Sequence, residues 1–466
     1  MTIDNRALAA RSLIQREDFA GAWGYVSEML NDDPDSPEAL YMCGAILRGQ
    51  GHVGMALSPL RRALAQEQKQ PNLWMHYAAC LHDVHKYDEA REAFMVVHKA
   101  MPGDPMPIAN IASGYIQQGK AREAVQWADK ALAIDPDSKI ANVAKSYGAL
   151  ALGRWSEGWK HAEWLYGEQI TVRVYRDPEE PIWDGSSGKT VVVQADQGIG
   201  DIIMYAQCLR QMAKDCKEVI VETSIRTAQL LRDAFPEITV YDTIKRPGGI
   251  EWPQKHQIDA RIHISLLPRF YRNSDADFPR EPYLVADPGM RAKWRAWLEQ
   301  FPKPWVGLSW KGGIPRTNEQ ARSMGLAELA PVMKQGGTFI SLAYQDVGLE
   351  VARWNIANAE QVIVPRINND GDYREWVALI AELDHVITVT TSVVHVCGAL
   401  GRKAWVMVNQ IPQWRYIREG EGGGLIWYPP SLSMYRQKPG EKSWEHCIAR
   451  VARDYGAFIL PLSKAA

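Results

Sequence analysis

The chain has little cysteine: Cys43, Cys80, Cys208, Cys216, Cys397 and Cys447 among 466 residues, with no CxxC pair. That spacing argues against a structural zinc site and a secreted disulfide framework, and it implies a reducing compartment, so the expected location is cytoplasmic. No window holds the roughly 18 apolar residues of a membrane-spanning helix, so none is expected. The first 18 residues, MTIDNRALAARSLIQRED, lack an apolar signal core. Charge of one sign is also missing: 53 Lys and Arg face 55 Asp and Glu, a net charge of -2, and no general nucleic-acid binding is expected. Two nucleotide fingerprints are absent. Gly198-Ile199-Gly200 has no third glycine at the place a dinucleotide turn requires, and the loop around Lys311 lacks the spacing of a P-loop.

Hydrophobic residues make up 46% and charged residues 23%, an ordinary globular balance that can bury a large core without staples. Within it lies a repeat. Ala22, Ala56, Ala90, Ala124 and Gly158 follow one another at intervals of 34 residues. Twelve residues before each stands another small residue: Ala10, Gly44, Ala78, Ala112 and Ser146. Pro34, Pro102 and Pro136 stand in register near the copy ends, with Gln68 breaking the column. Small residues let two antiparallel helices approach closely, and a proline cannot continue the ladder of the second. An irregular helical bundle does not account for five in-phase small residues.

This period and pattern resemble the tetratricopeptide repeat over residues 4–166, in five copies. The match is strong in YDEAREAFMVVHKAMPGDP and KAREAVQWADKALAIDP and weaker in GRWSEGWKHAEWLYG. Atypical end copies are expected, because they pack on one neighbour only. The resemblance implies a continuous superhelix and a groove for a protein partner, or for the following domain.

Residues 167–187, with Pro178, Pro181 and Gly185, read as a linker. Beyond it the pattern alternates strand and helix: Thr190–Ala195 as a buried parallel strand, a helix from Ile202 to Lys214, and a second run opening at Trp305–Trp310. A helix over Ser443–Asp454 closes the chain. The expected fold class is α + α/β: an N-terminal repeat solenoid followed by two Rossmann-like halves, residues 188–302 and 303–437, with a C-terminal helix and tail at 438–466. Two such units leave a cleft at the carboxyl ends of their strands.

Three motifs end strands at that cleft. Gln197-Gly198-Ile199-Gly200-Asp201 joins a strand to a helix. Its glycines permit a tight turn, and Asp201 suits a helix start, either as a simple acidic N-terminal residue or as a group facing a ligand. Trp310-Lys311-Gly312-Gly313, with Arg316, Arg322 and Ser323 downstream, suits a phosphate or pyrophosphate; ordinary surface cations on a solvated loop are the other reading. Thr390-Thr391-Ser392 opens a helix, and His395 shares a face with Ser392. Hydroxyls at a helix start either cap it or hold an anion, and on spacing alone His395 reads as a satisfied core histidine.

Taken in order, GxGD, WKGG with a later Arg-Ser, and TSVVHVCGALGRK before AWVMV resemble heptosyltransferase-like glycosyltransferases of the GT-B fold. The tail IPQWRY, then WYP, then MYRQ, resembles bacterial tetratricopeptide proteins that carry this domain. The resemblance spans most of residues 188–455. It implies Asp201 as catalytic base, with Gln197, Gly198 and Gly200 forming the cleft loop. It implies Lys311, Arg322, Thr391 and Ser392, with their neighbours Trp310, Ser323 and Thr390, as donor-binding residues, and His395 as the helix histidine that stabilises phosphate or serves as a fallback base. The family usually carries Asp where Thr390 stands, so an ADP-heptose donor is not inferred. The expected activity is sugar transfer from a nucleotide-diphosphate sugar to an acceptor glycan or protein, with no cofactor and no metal. The rival expectation is a non-catalytic scaffold whose glycosyltransferase domain is degenerate.

Overall fold

In the computed structural model, which describes residues 3–165, 180–242, 256–313, 319–418, 422–438, 440–441 and 443–463, the chain divides into two units, Met1–Leu152 and Gly153–Ala466. Residues 167–179 of the expected linker and Arg316 lie outside the described residues.

The first unit is a run of helical pairs: α1 (Ile3–Gln15) with α2 (Phe19–Asp32), α3 (Pro37–Gly49) with α4 (Val53–Gln66), α5 (Pro71–Asp83) with α6 (Tyr87–Ala100), and α7 (Met106–Gln117) with α8 (Ala121–Ile134), then α9 (Lys139–Ala151). Local chemistry sets their ends. The Asp18 carboxylate accepts from Gly21 N at 3.0 Å, and Pro37 and Pro71 occupy first-turn positions where a missing N–H costs nothing. Pro34, Pro102 and Pro136 each stand two residues beyond a second helix. Both columns of small residues are interior: Ala22, Ala56, Ala90 and Ala124 are buried, as are Ala10, Ala78, Ala112 and Ser146.

The fifth copy differs from the expected pair. Its second helix, α10 (Trp155–Lys160), has only six residues and belongs to the second unit. Trp155 donates its indole N–H to Asp275 at 2.7 Å, and Trp159 donates to the Arg272 carbonyl at 2.7 Å. Its indoles thus serve the α/β unit.

That unit holds two wholly parallel sheets. One contains β1 (Thr190–Ala195), β2 (Glu218–Thr223), β3 (Thr239–Tyr241) and β4 (Ala260–His263), in the order β3-β2-β1-β4. The other contains β5 (Trp305–Ser309), β6 (Thr338–Ser341), β7 (Val362–Ile363), β8 (His385–Val389), β9 (Ala404–Val408) and β10 (Leu432–Arg436), in the order β10-β9-β8-β5-β6-β7. Every residue of β1, β5 and β8 is buried, as strands covered on both faces must be. In each sheet the winding reverses beside the first strand, between β1 and β4 and between β5 and β8. Such reversals open crevices at the strands' carboxyl ends, where ligands bind in doubly wound folds.

Some elements departed from expectation. The helix expected over Ile202–Lys214 is two helices, Ile199–Ala206 and Leu209–Asp215, and the closing helix runs Glu445–Ser463. Pro288 opens the helix Pro288–Leu298, with Asp287 accepting from Met290 N at 2.8 Å. All six cysteines are free and buried. Among the described residues no helix is long and apolar enough to cross a membrane.

Candidate functional site

At the β5/β8 crevice, Ser309 and Thr388 stand opposite each other in register, so the loops that follow them emerge side by side. Arg322 ties these loops together. Its guanidinium donates to Thr390 Oγ1 at 3.1 Å and to the Thr390 carbonyl, while its backbone lies so close to Gly312 that a Cβ there would sit 2.7 Å from the Arg322 carbonyl oxygen. Glycine is therefore needed at 312 for chain crossing. Ser323 braces the same turn by accepting from Gly312 N at 2.9 Å. Burial lowers the Arg322 pKa from its ordinary value, and the charge of Arg415 acts in the same sense. The Thr390 hydroxyl accepts a hydrogen bond without neutralising Arg322, as a carboxylate at that position would.

The helix Ser392–Leu400 starts here. Thr391 caps it, accepting from Val393 N at 3.2 Å, and the Ser392 hydroxyl accepts from Tyr373 at 2.9 Å. Lys311 is half-buried and paired with Glu350 at 3.3 Å; Glu350 also accepts from the Trp310 indole at 3.1 Å and from Leu326 N at 2.8 Å. Trp310 is fully buried and forms part of the core, so it offers no face for stacking on a base or sugar.

The first sheet brings its own loop to the same place. The helix Ile199–Ala206 follows Gln197 and Gly198, and its start meets the start of Ser392–Leu400. A Cβ on Gly200 would lie 2.8 Å from His395 Cδ2 and 3.3 Å from Ser392 Cα. Two helix N-termini thus converge, and each favours an anion. Asp201, in the first turn, forms an ion pair with Arg415 at 2.6 Å, and both side chains are largely shielded. At the neighbouring β1/β4 reversal, His263 joins Asp196 at 2.8 Å to Ser265 at 2.6 Å, linking the ends of those strands.

His395 lies behind this surface. It is buried, with Nδ1 2.8 Å from the Tyr428 hydroxyl and Nε2 3.2 Å from the Tyr416 hydroxyl. Burial holds its pKa well below the usual histidine value, with Arg415 and Arg322 adding to the effect, so the ring is neutral. This placement agrees with the core-histidine reading of its spacing and leaves no open ring nitrogen for phosphate or for a proton relay to solvent.

Asp201, Arg322, Thr390, Thr391, Ser392 and the Gly198–Gly200 turn therefore come together, while Lys311 sits at the margin with Glu350. The residue overlooked in the sequence is Arg415. The segment carrying it, Ile411–Tyr416, stood out only as part of a resemblance, and no periodicity marks an arginine on a short loop turn.

Residues 15–97 match the family model described as anaphase-promoting complex, cyclosome, subunit 3. The first unit is a helical repeat of the tetratricopeptide type. Protein FlbA of Caulobacter vibrioides is 25% identical over 450 residues, covering 91% of this chain and 74% of that protein. Among solved structures, a tetratricopeptide repeat protein from Parabacteroides merdae is 18% identical, covering 36% of this chain and 68% of its own, with a TM-score of 0.32. The pilF protein of Pseudomonas aeruginosa is 16% identical, covering 35% and 75%, with a TM-score of 0.33.

Proposed function

We propose that this chain is a glycosyltransferase of the GT-B type, taking a sugar from a nucleotide-diphosphate sugar to an acceptor hydroxyl, with the repeats selecting a protein or glycan acceptor. The observation that carries this reading is Arg322, a shielded cation clamped across the loops after β5 and β8 beside the start of Ser392–Leu400. A diphosphate is the ligand chemistry that such a crevice suits. Guanidinium groups offer paired N–H donors to phosphate oxygens, and a helix start adds backbone donors and a favourable dipole.

In the proposed transfer, the acceptor oxygen forms a bond to the anomeric carbon as that carbon's bond to the diphosphate oxygen breaks. The leaving diphosphate keeps the electron pair, and its growing charge is met by Arg322 and the helix N-terminus without calling on a metal. Asp201, on the first half, takes the acceptor proton. The first half is then the acceptor side and the second the donor side. His395 is assigned no proton transfer; it holds Tyr416 and Tyr428 in place behind the site.

The test is a thermal-shift and calorimetric screen of UDP, GDP, ADP and CMP sugars, followed by transfer assays on the donor that binds. Asp201→Asn, which keeps shape and removes charge, is expected to lower turnover by about 10²–10⁴. Binding of none of these donors would favour the scaffold reading, and normal turnover by the Asn variant would place the base elsewhere.

A further inference from the structure

The loop after β2 leads into the helix Ile225–Ala234, whose first turn carries Arg226. This helix belongs to the first half, and its start meets the second half at the crevice. The Arg226 carbonyl accepts from Tyr373 N at 3.0 Å, and the guanidinium carbon lies 5.9 Å from the centre of the Tyr373 ring. The Tyr373 hydroxyl in turn donates to Ser392 at 2.9 Å, at the start of Ser392–Leu400. One tyrosine therefore separates Arg226 from the helix start that Arg322 borders.

Arg226 is costly where it stands. Its Nε is buried without a hydrogen-bond partner, and its guanidinium has no ion pair among the described residues. A shielded donor left unpaired destabilises a fold, and a ring at the far limit of a cation–π contact offsets little of that. The acidic residues of both elements already hold other cations: Asp233 and Asp372 pair with Arg374 at 3.0 Å and 2.7 Å, Glu375 with Lys293 at 2.9 Å, and Glu382 with Arg291 at 2.6 Å. The first turn of a helix is also where the dipole disfavours a cation, and this one carries no acidic residue to offset it.

We infer that Arg226 is a donor-binding residue supplied by the first half: its guanidinium takes oxygens of the diphosphate across the crevice from Arg322, so that one ligand is held by both halves. This rests on the crevice being a diphosphate site. Phosphate oxygens supply the anion that the shielded guanidinium lacks, and paired N–H donors match them. The same charge removes the conflict between Arg226 and the dipole of its own helix. The first half, otherwise the acceptor side, thereby takes part in holding the donor.

The test is calorimetric titration of inorganic pyrophosphate into the full chain as wild type, Arg226→Gln, Arg322→Gln and Lys214→Gln. Lys214 is an exposed cation near the end of Leu209–Asp215, just before β2 and so at the opposite end of the strand, and its loss controls for general charge. Arg226→Gln is expected to bind about tenfold more weakly than wild type. Lys214→Gln is expected to stay within about twofold of it. Arg226→Lys, which keeps the charge but not the fork, is expected to fall between wild type and Arg226→Gln, and it stands in if the Gln variant does not fold. Wild-type affinity in Arg226→Gln, with Arg322→Gln weakened, would overturn the role of Arg226 and leave the diphosphate site intact. Equal losses from Arg226→Gln and Lys214→Gln would reduce the effect to general charge and overturn it as well. Pyrophosphate binding to none of the proteins, wild type included, would overturn the site and the role of Arg226 together.

Discussion

His385 opens β8 at the end of the strand away from the candidate site, so its titration can be tested without disturbing the crevice. It is buried, neither ring nitrogen has a hydrogen-bond partner among the described residues, and it packs against Trp405 and Phe458 with ring centroids 4.3 Å and 4.9 Å away. Burial, helped by the charge of Lys403, pulls its pKa down to about 4. In the unfolded chain a histidine titrates near pH 6.5. Above that pH the ring is neutral in both states and contributes no pH dependence. Below it, the unfolded chain takes up a proton that the folded chain refuses, so stability falls as the pH drops from about 6.5 towards 4. At about 1.4 kcal/mol per pH unit, the loss reaches about 3 kcal/mol at the lower limit. His385→Phe keeps a flat ring between Trp405 and Phe458 and removes the titration. Urea unfolding at pH 7, 6, 5 and 4.5 is the assay. The variant should lose about 2–3 kcal/mol less than the wild type between pH 7 and 4.5. Buried His395 titrates in the same direction in both proteins and so cancels from the difference. Parallel stability curves for the two proteins would refute the reasoning.

Ala90 and Ala124 are buried at the crossing of paired helices. Ala90→Leu and Ala124→Leu should each cost about 1–3 kcal/mol by overpacking, read as a lower melting temperature of the repeat unit; an unchanged melt would mean that the register is wrong. Arg322→Gln should weaken binding of the identified donor by about 1.5–3 kcal/mol. Lys311→Ala should cost less, about 1 kcal/mol or below, because Glu350 already holds the ammonium. Calorimetry gives both numbers, and a larger loss from Lys311→Ala would move the phosphate towards the Lys311 margin.

The repeats were legible because their signal is periodic: a small residue every 34 positions is forced wherever two helices cross closely. Strands β1 and β5 were legible for a related reason, since a strand buried on both faces reads as a mostly apolar run. β10 was not, because its sequence, LSMYR, mixes polar and apolar residues and lies among loops. The fifth copy misled because Trp155 and Trp159 fit a repeat helix by spacing, while their indole N–H groups find partners at Asp275 and Arg272, more than a hundred residues away. The site divides in the same way. The Gly198–Asp201 turn and the Thr390–Ser392 helix start lie at junctions of strand and helix, which sequence pattern locates. The resemblance implies Trp310 as a donor-binding neighbour of Lys311, but its indole turns inward to Glu350. Arg415 was missed because its role comes only from the fold, which carries it to Asp201 across more than two hundred residues of chain.

The most direct measurement is the structure of the full chain with the nucleoside diphosphate that the donor screen identifies. The account places the two phosphates against Arg322 and the backbone at Thr390–Ser392. A nucleotide bound instead against residues 198–222, with none near Arg322, would reverse the roles of the two halves and contradict the account.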